Sequence, residues 1–244
     1  MKLCMFSPHE LELERGWPGR IVGEGVVQLA AQTLQAFLTG GGTAREHAGY
    51  RLADCDLLAP VLRPPAVRVF RPFERGGTPF FSFRSPAPVL GPDAELPYPE
   101  GVEELDYGLA LAAMIGAEGE IGGFTVANDW TAREIARAER AAGFGPGKSS
   151  DFALSLGPVL VTTDELAETR LVARVNGEER CGADTRELVH RWPELVAAAA
   201  RNTRLRSGDL LLARVSGGAG PALRHGDVVE LEAEGIGVLR SRVV

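Results

Sequence analysis

The sequence predicts a mixed α+β protein that is predominantly β. Near the C-terminus, two similar phrases, Ser207-Gly208-Asp209 and His225-Gly226-Asp227, each lead directly into an apolar run, which is typical of a turn that feeds a strand. Residues 66–120 are rich in proline and glycine and contain only short extended runs. Helical patterning is confined to a few short segments. With 244 residues, one compact domain plus a small appendage is expected.

The first part of the chain predicts a small N-terminal domain that contains β-structure. Residues Arg20–Leu29 hold two short apolar runs around a glycine-containing turn, which indicates a hairpin. Residues Thr33–Leu38 are long enough for one or two helical turns. The phrase Arg63-Pro64-Pro65 is typical of a domain boundary. We therefore predict two units, at residues 1–62 and 63–244.

The central segments alternate between extended and helical patterns. Asp106–Gly116 is ambiguous between strand and helix by periodicity. Phe124–Ala127 predicts a short strand. Thr131–Glu134 fits the S/T-x-x-E capping box and predicts a helix that runs to about Ala142. A second helix is predicted from Pro193, because proline is favoured in the first turn.

Composition excludes several classes of function. The net charge is −7 and there is no dense basic patch, which argues against nucleic-acid binding. No apolar run approaches the roughly 18 residues that a membrane span requires. The start of the chain lacks the apolar core of a signal peptide, so we expect a cytoplasmic protein. Three widely separated cysteines indicate a reducing compartment without a disulfide framework.

Lysine is almost absent from this chain. Of its 26 basic residues only Lys2 and Lys148 are lysines, and the rest are arginines. A lysine that persists against this bias either survived by chance or supplies a compact ammonium group whose pKa can be tuned. The surroundings of Lys148 favour the functional interpretation.

Three ordered segments carry a family resemblance. Residues 123–134, GFTVANDWTARE, are similar to the pattern G-Y/F-T-I/V-x-N-D-x-S/T-A-R-D/E, and residues 147–158, GKSSDFALSLGP, to G-K-x-x-D-x-x-x-x-L/I-G-P. The phrase VNGE at 175–178 precedes the two Gly-Asp turns. Together they resemble the fumarylacetoacetate hydrolase family over about residues 63–244. The resemblance implies a β-roll around a twisted, barrel-like sheet, and a homodimer.

The resemblance also implies a metal site that this chain has largely lost. Family members hold Mg²⁺, Mn²⁺ or Ca²⁺ with two glutamates of a D-Y-E-x-E-L phrase and one aspartate of N-D. Here the phrase reads DYGLAL at 106–111, so Gly108 and Ala110 replace the glutamates and Asp129 alone remains. Asp106 shares their face but lies about 6–7 Å from position 108 along an extended strand. We predict no tightly bound cofactor, and at most weak Mg²⁺ or Mn²⁺ binding at Asp129.

Other matched positions define the candidate site. Lys148 matches the family's active-site lysine, Asn128 and Arg133 match its motif, and Thr185 matches a pocket-lining position. For Asn128 and Arg133, a structural role at the strand-to-helix turn is at least as well supported. The family's loop for the substrate carboxylate corresponds to residues 213–220, where Arg214 stands in place of glycine. Arg214 is suited to bind a carboxylate or enolate oxygen and to replace the missing cation. Of the family's water-activating His-Glu pair, the histidine is missing, and Glu74 is the one candidate remnant.

Three functions remain open. The first is a metal-independent enzyme acting on a small enolisable keto acid or 1,3-dicarbonyl compound, by tautomerisation, decarboxylation, C–C hydrolysis or cyclisation. In it Lys148, its pKa lowered by burial, would be the general acid/base, with Asp129 as partner base and Arg214 as anion clamp. The second is an ordinary Mg²⁺- or Mn²⁺-dependent hydrolase or decarboxylase with a weak site. The third is a catalytically silent protein that binds a ligand or an intact paralogue.

Overall fold

The computed structural model describes residues 1–74, 76–166, 168–215 and 220–244, and strands dominate this part of the chain. In chain order the strands are β1 Lys2–Pro8, β2 Trp17–Val22, β3 Gly25–Leu29, β4 Glu46–Arg51, β5 Cys55–Leu58, β6 Val67–Phe70, β7 Phe81–Arg84, β8 Val89–Leu90, β9 Glu95–Leu96, β10 Leu105–Asp106, β11 Leu109–Ile115, β12 Ile121–Asp129, β13 Thr131–Ala132, β14 Leu154–Val161, β15 Arg170–Val175, β16 Glu178–Asp184, β17 Leu210–Arg214, β18 Val228–Ala233 and β19 Gly237–Val243. The prediction of a predominantly β fold is confirmed.

The α-helices are short. They are α1 Leu34–Thr39, α2 Arg133–Ala141 and α3 Trp192–Ala200, with 3-10 turns at Leu52–Asp54, Ala117–Gly119, Lys148–Ser150 and Thr185–Glu187. Helix α1 begins after Thr33, whose hydroxyl accepts from the backbone N–H of Ala36. Helix α3 has proline in its first turn, as predicted.

The predicted helix after Thr131 exists, but the predicted capping box is wrong. The residue before α2 is Ala132, and no side chain caps this helix end. The Glu134 carboxylate instead accepts hydrogen bonds from the backbone N–H groups of Glu103, at 2.9 Å, and Glu104, at 3.2 Å. The Glu134 side chain therefore makes a tertiary contact with the preceding loop and does not cap the start of α2.

Most strands of the described chain belong to one twelve-stranded sheet. Its main order is β4-β3-β2-β1-β14-β12-β11-β17-β6-β7, while β5 pairs with β1 and β8 with β14. Pairing of β1 with β14 joins residues 1–62 to the remainder of the chain in one sheet, and the division into two domains stays a prediction. Among the described residues the order ends at β4 and β7, so the expected barrel-like sheet does not close.

Strand β11 shows why periodicity left its segment ambiguous. All seven of its residues are buried, so it lacks the alternation of a half-exposed strand. Leu109, Leu111 and Ala113 pack in a cluster with residues of the second sheet, such as Leu231. Ala110, Ala112 and Met114 pack on the other side with residues of the N-terminal strands and α1.

The second sheet has the order β16-β15-β18-β19-β9, and β10 pairs separately with β13. Strands β17 and β18 begin directly after the two Gly-Asp turns, as predicted. The hairpin predicted within Arg20–Leu29 is formed by β2 and β3. No helix in the described part of the chain is long and apolar enough to cross a membrane.

Candidate active site

Three charged side chains meet where three strands of the large sheet end. Asp129 is the last residue of β12, Arg84 the last of β7 and Arg214 the last of β17. Arg84 forms a bidentate ion pair with the Asp129 carboxylate: Nε donates to Oδ1 at 2.6 Å and Nη2 donates to Oδ2 at 2.9 Å. Nη1 of Arg214 donates to Oδ2 at 2.5 Å and to the Thr131 hydroxyl at 3.1 Å. One carboxylate thus holds two guanidinium groups.

The cluster is almost completely removed from water. Side-chain exposure is 1% for Asp129, 5% for Arg84 and 11% for Arg214. Burial by itself would raise the pKa of Asp129, but the Arg214 and Arg84 guanidinium groups outweigh it and hold that pKa below its ordinary value. Asp129 is therefore an ionised counter-ion, and its low pKa makes it a poor proton acceptor. This geometry does not support the predicted role of Asp129 as a partner base.

The lowered pKa of Asp129 predicts a specific loss of stability in acid. A carboxyl group whose pKa is lower in the folded than in the unfolded chain contributes stability above its unfolded pKa of about 3.9. That contribution is lost as the pH falls through the folded pKa. We expect the free energy of unfolding to fall more between pH 5 and pH 3 in the natural protein than in Asp129→Asn, as measured by urea titration. Equal slopes would show that Asp129 is not the group responsible.

Gly108 and Asn128 bring the backbone close to this cluster. The Asn128 side-chain oxygen accepts from the Gly108 backbone N–H at 2.7 Å, and the Asp129 N–H donates to the Gly108 carbonyl at 2.9 Å. Asn128 is buried and fixes the backbone of Gly108. Its structural role, considered from the sequence, is the one that the contacts support.

A cavity of about 550 Å³ opens in front of the cluster, and arginines dominate its wall. The lining residues are Arg71, Arg84, Asp106, Thr131, Arg133, Ala136, Arg137, Arg140, Phe144, Gly145, Pro146, Ser149, Ser150 and Arg214. Four carboxylates pair with these six arginines: Asp129, Asp106, Glu104 and Glu74. Among the residues that line the cavity, positive charge therefore exceeds negative charge, which favours a small anionic ligand.

Asp106 and Arg133 form a second ion pair in the cavity wall. Nε of Arg133 donates to Oδ2 of Asp106 at 2.8 Å, and Nη1 donates to the Gly220 carbonyl at 2.8 Å. The backbone N–H of Tyr107 donates to Oδ1 of Asp106 at 2.9 Å. Unlike Asp129, Asp106 is held by a single guanidinium among the described residues, and it lines the cavity.

The structure does not bury Lys148. Its side chain is 75% exposed and its ammonium pairs with Asp151 at 3.1 Å, outside the cavity wall. The burial expected for Lys148 is therefore not present. Its neighbours Ser149 and Ser150 are the residues that face the cavity, because Glu139 accepts from the Ser149 hydroxyl at 2.6 Å and from the Gly147 N–H at 3.0 Å. These bonds set the turn so that Lys148 points outward.

Thr185 and part of a predicted loop lie outside the cluster. Thr185 is buried at the end of β16, where its hydroxyl oxygen accepts from the Thr169 N–H at 2.8 Å, and it does not line the cavity. The loop predicted to bind a substrate carboxylate spans residues 213–220. Arg214 and Val215 are described, whereas residues 216–219 lie outside the described residues.

The residues present do not fit the divalent metal ion that the resemblance implies. Gly108 and Ala110 offer no side-chain oxygen, and both oxygens of Asp129 already accept from guanidinium groups. The two arginines would also repel a cation at this position. Across the described ranges, no three His, Cys, Asp or Glu side chains come together in a way that would hold a metal.

Sequence reasoning did not find Arg84. It precedes Ser85 and Pro86 at the end of an aromatic-rich extended run, and no matched motif includes it. The one available signal was a charged residue at the end of a strand whose other side chains are largely apolar. Its partner Asp129 lies 45 residues away, so the pair is visible only in the fold.

Comparison with known proteins agrees with these motifs. The family model described as fumarylacetoacetate (FAA) hydrolase C-terminal matches residues 64–244. The human mitochondrial oxaloacetate tautomerase FAHD2A is 30% identical over 295 aligned residues, covering 100% of this chain and 92% of that protein. The 5-carboxymethyl-2-hydroxymuconate delta-isomerase of Mycobacterium smegmatis is 25% identical with a TM-score of 0.83, covering 100% and 99% of the two chains. A fumarylacetoacetate hydrolase of Exiguobacterium antarcticum has a TM-score of 0.85 at 24% identity, again covering 100% and 99%, and shows the fold.

Proposed function

Because the chain belongs to the fumarylacetoacetate hydrolase family, we propose that it is an isomerase-like enzyme for a small, anionic, enolisable keto acid or 1,3-dicarbonyl compound. The proposed reaction moves a proton and needs no tightly bound metal ion. The names of two relatives, a tautomerase and a delta-isomerase, support this reaction class. The observation that carries the proposal is Arg214, a buried cation at the floor of an arginine-lined cavity, with donors that no described residue uses.

Arg214 is the proposed electrophile. Within the described residues its hydrogen bonds leave only from Nη1, so Nε and Nη2 keep donors for a ligand. When a proton leaves the carbon next to a carbonyl, the carbonyl oxygen becomes negative. A guanidinium group held in place beforehand stabilises that oxygen with charge-assisted hydrogen bonds and without reorganisation. Asp129 and Thr131 fix the group in this orientation.

Asp106 is the proposed proton acceptor. Each of its oxygens accepts one hydrogen bond from the described residues, which leaves lone pairs on both. In the proposed step the proton passes from the substrate carbon to Asp106 while the bonding electrons move to the oxygen beside Arg214. A proton then returns from Asp106 to another atom of the substrate, after exchange with solvent, which completes an isomerisation without net uptake of water. We do not assign the role of proton acceptor to Asp129, because its carboxylate accepts three hydrogen bonds from guanidinium groups.

The test measures enolisation after removal of metals. Oxaloacetate is incubated with chelator-treated protein in D₂O, and loss of its carbon-bound protons is followed by NMR, with heat-inactivated protein to correct for uncatalysed exchange. We expect the rate of exchange to rise in proportion to protein concentration. Neither EDTA nor added Mn²⁺ should change that rate. Exchange that EDTA abolishes and Mn²⁺ restores would contradict the proposal and favour an ordinary metal-dependent enzyme. No catalysed exchange with oxaloacetate or acylpyruvates, with oxalate still bound, would favour the silent binding protein.

A further inference from the structure

Gly108 and Arg214 lie so close together that the residue type at position 108 limits where the Arg214 side chain can lie. A Cβ atom at position 108 would lie 2.8 Å from Cζ and 3.0 Å from Nε of Arg214, and 2.4 Å from the Asp129 carbonyl oxygen. A side chain at this position would therefore require both the Asp129 backbone and the Arg214 guanidinium group to shift. The glutamate that the resemblance implies at 108 and the present position of Arg214 are mutually exclusive.

Ala110, the position of the second family glutamate, also lies next to Arg214. Ala110 pairs in register with Arg214 between β11 and β17, so their side chains lie side by side on one face of the sheet. On the other side of β11, Ala110 pairs with Ala127, which precedes Asp129 on the same face by two residues. The positions of both missing glutamates thus border the space that Arg214 fills.

Arg84 completes the arrangement. Its Nε and Nη2 bind Asp129, and its Nη1 donates to the Ser82 hydroxyl at 2.8 Å and to the Phe83 carbonyl at 3.0 Å. All three nitrogens are engaged, so Arg84 is a fixed charge and a positioning residue. Two guanidinium groups against one carboxylate leave one net positive charge at the cavity floor.

We propose that Arg84 and Arg214 stand together in the place of the family's divalent cation, and that glycine at 108 is what makes this exchange possible. The chain has replaced a removable ion with two charges that are part of the polypeptide. A small dianion would bind here whether or not a chelator is present. The inference goes beyond the proposed function, because it concerns binding and holds even if the protein turns over no substrate.

The first experiment measures oxalate binding by calorimetry on the whole protein in EDTA. We expect oxalate to bind the natural protein, and Arg214→Met and Gly108→Ala each to weaken it by about 10- to 100-fold, since a charge-assisted hydrogen bond is lost. The matched control is Arg68→Met. Arg68 is as buried as Arg84 and Arg214 and is paired with Asp209, but it does not line the cavity. Unchanged binding in folded Arg214→Met would overturn the inference, as would equal weakening in Arg68→Met.

The second experiment restores the two family glutamates and removes the two arginines. The free Mn²⁺ signal in electron paramagnetic resonance should be unchanged by the natural protein. A variant combining Gly108→Glu, Ala110→Glu, Arg84→Met and Arg214→Gly should lower that signal, and adding Asp129→Asn should restore it. Asp129-dependent Mn²⁺ binding to the natural protein would overturn the inference, and so would a folded fourfold variant that leaves Mn²⁺ free. Neither readout uses turnover, so failure here is distinct from failure of the proposed reaction.

Discussion

Replacing Asp129 by alanine is expected to lower the free energy of unfolding by about 3–5 kcal/mol, because two buried guanidinium groups lose their counter-ion. Because arginine does not deprotonate in proteins, the cost of burying an unpaired guanidinium group cannot be relieved by loss of a proton. The three hydrogen bonds from Arg84 and Arg214 to Asp129 would be lost together. Urea titration followed by circular dichroism measures the change.

Asp209 offers a matched comparison for this effect. It is equally buried, but it pairs with one arginine, Arg68, at 3.1 Å. Asp209→Ala should therefore destabilise the protein less than Asp129→Ala does. An additional Arg84→Met change in the Asp129→Ala background should recover part of the loss, because one unpaired charge is removed. A loss below about 1 kcal/mol in Asp129→Ala would contradict the account, since that is the scale of exposed ion pairs.

The parts of the fold that sequence could predict are those governed by local rules. The turns before β17 and β18, the hairpin of β2 and β3 and the proline at the start of α3 depend on residues close together in the chain. Strand β11 escaped such rules because burial on both faces removes its alternation. The capping box failed because Glu134 found a partner in the loop at 103–104.

The sequence predicted several residues of the candidate site but not the contacts between them. The motif identified Asp129, and the departures from it identified Gly108 and Arg214. Glycine at 108 predicted a missing metal ligand, whereas in the structure the space that a Cβ atom at 108 would need is occupied by the Arg214 guanidinium group and the Asp129 carbonyl. Arg214 and Asp129 are 85 residues apart, and no local pattern couples them. For Lys148, its rarity indicated importance, but the hydrogen bonds of Glu139 decide which way it faces.

Replacing Arg214 by methionine should lower kcat/KM for the proposed enolisation by about 10²–10³-fold, the usual effect of removing one preorganised donor to a developing oxyanion. Methionine keeps the length of the side chain while removing its charge and its hydrogen bonds. Arg214→Lys should fall between the two proteins, because an ammonium retains the charge without the planar fork. Arg68→Met serves as control, since it removes a buried arginine outside the cavity and should leave kcat/KM unchanged.

The comparison with Lys148→Met then separates the two candidate groups. In the structure Lys148 lies against Asp151 and outside the cavity, so its replacement should affect kcat/KM far less than Arg214→Met does. A loss of about 10²–10⁴-fold in Lys148→Met, together with a small loss in Arg214→Met, would be typical of general acid–base catalysis by the lysine. The turn at Gly147–Ser149 would then have to open from Glu139 during the reaction, and Glu139→Gln would alter turnover without altering oxalate binding. The opposite result would identify Arg214, the fixed cation at the cavity floor, as the group that stabilises the developing oxyanion.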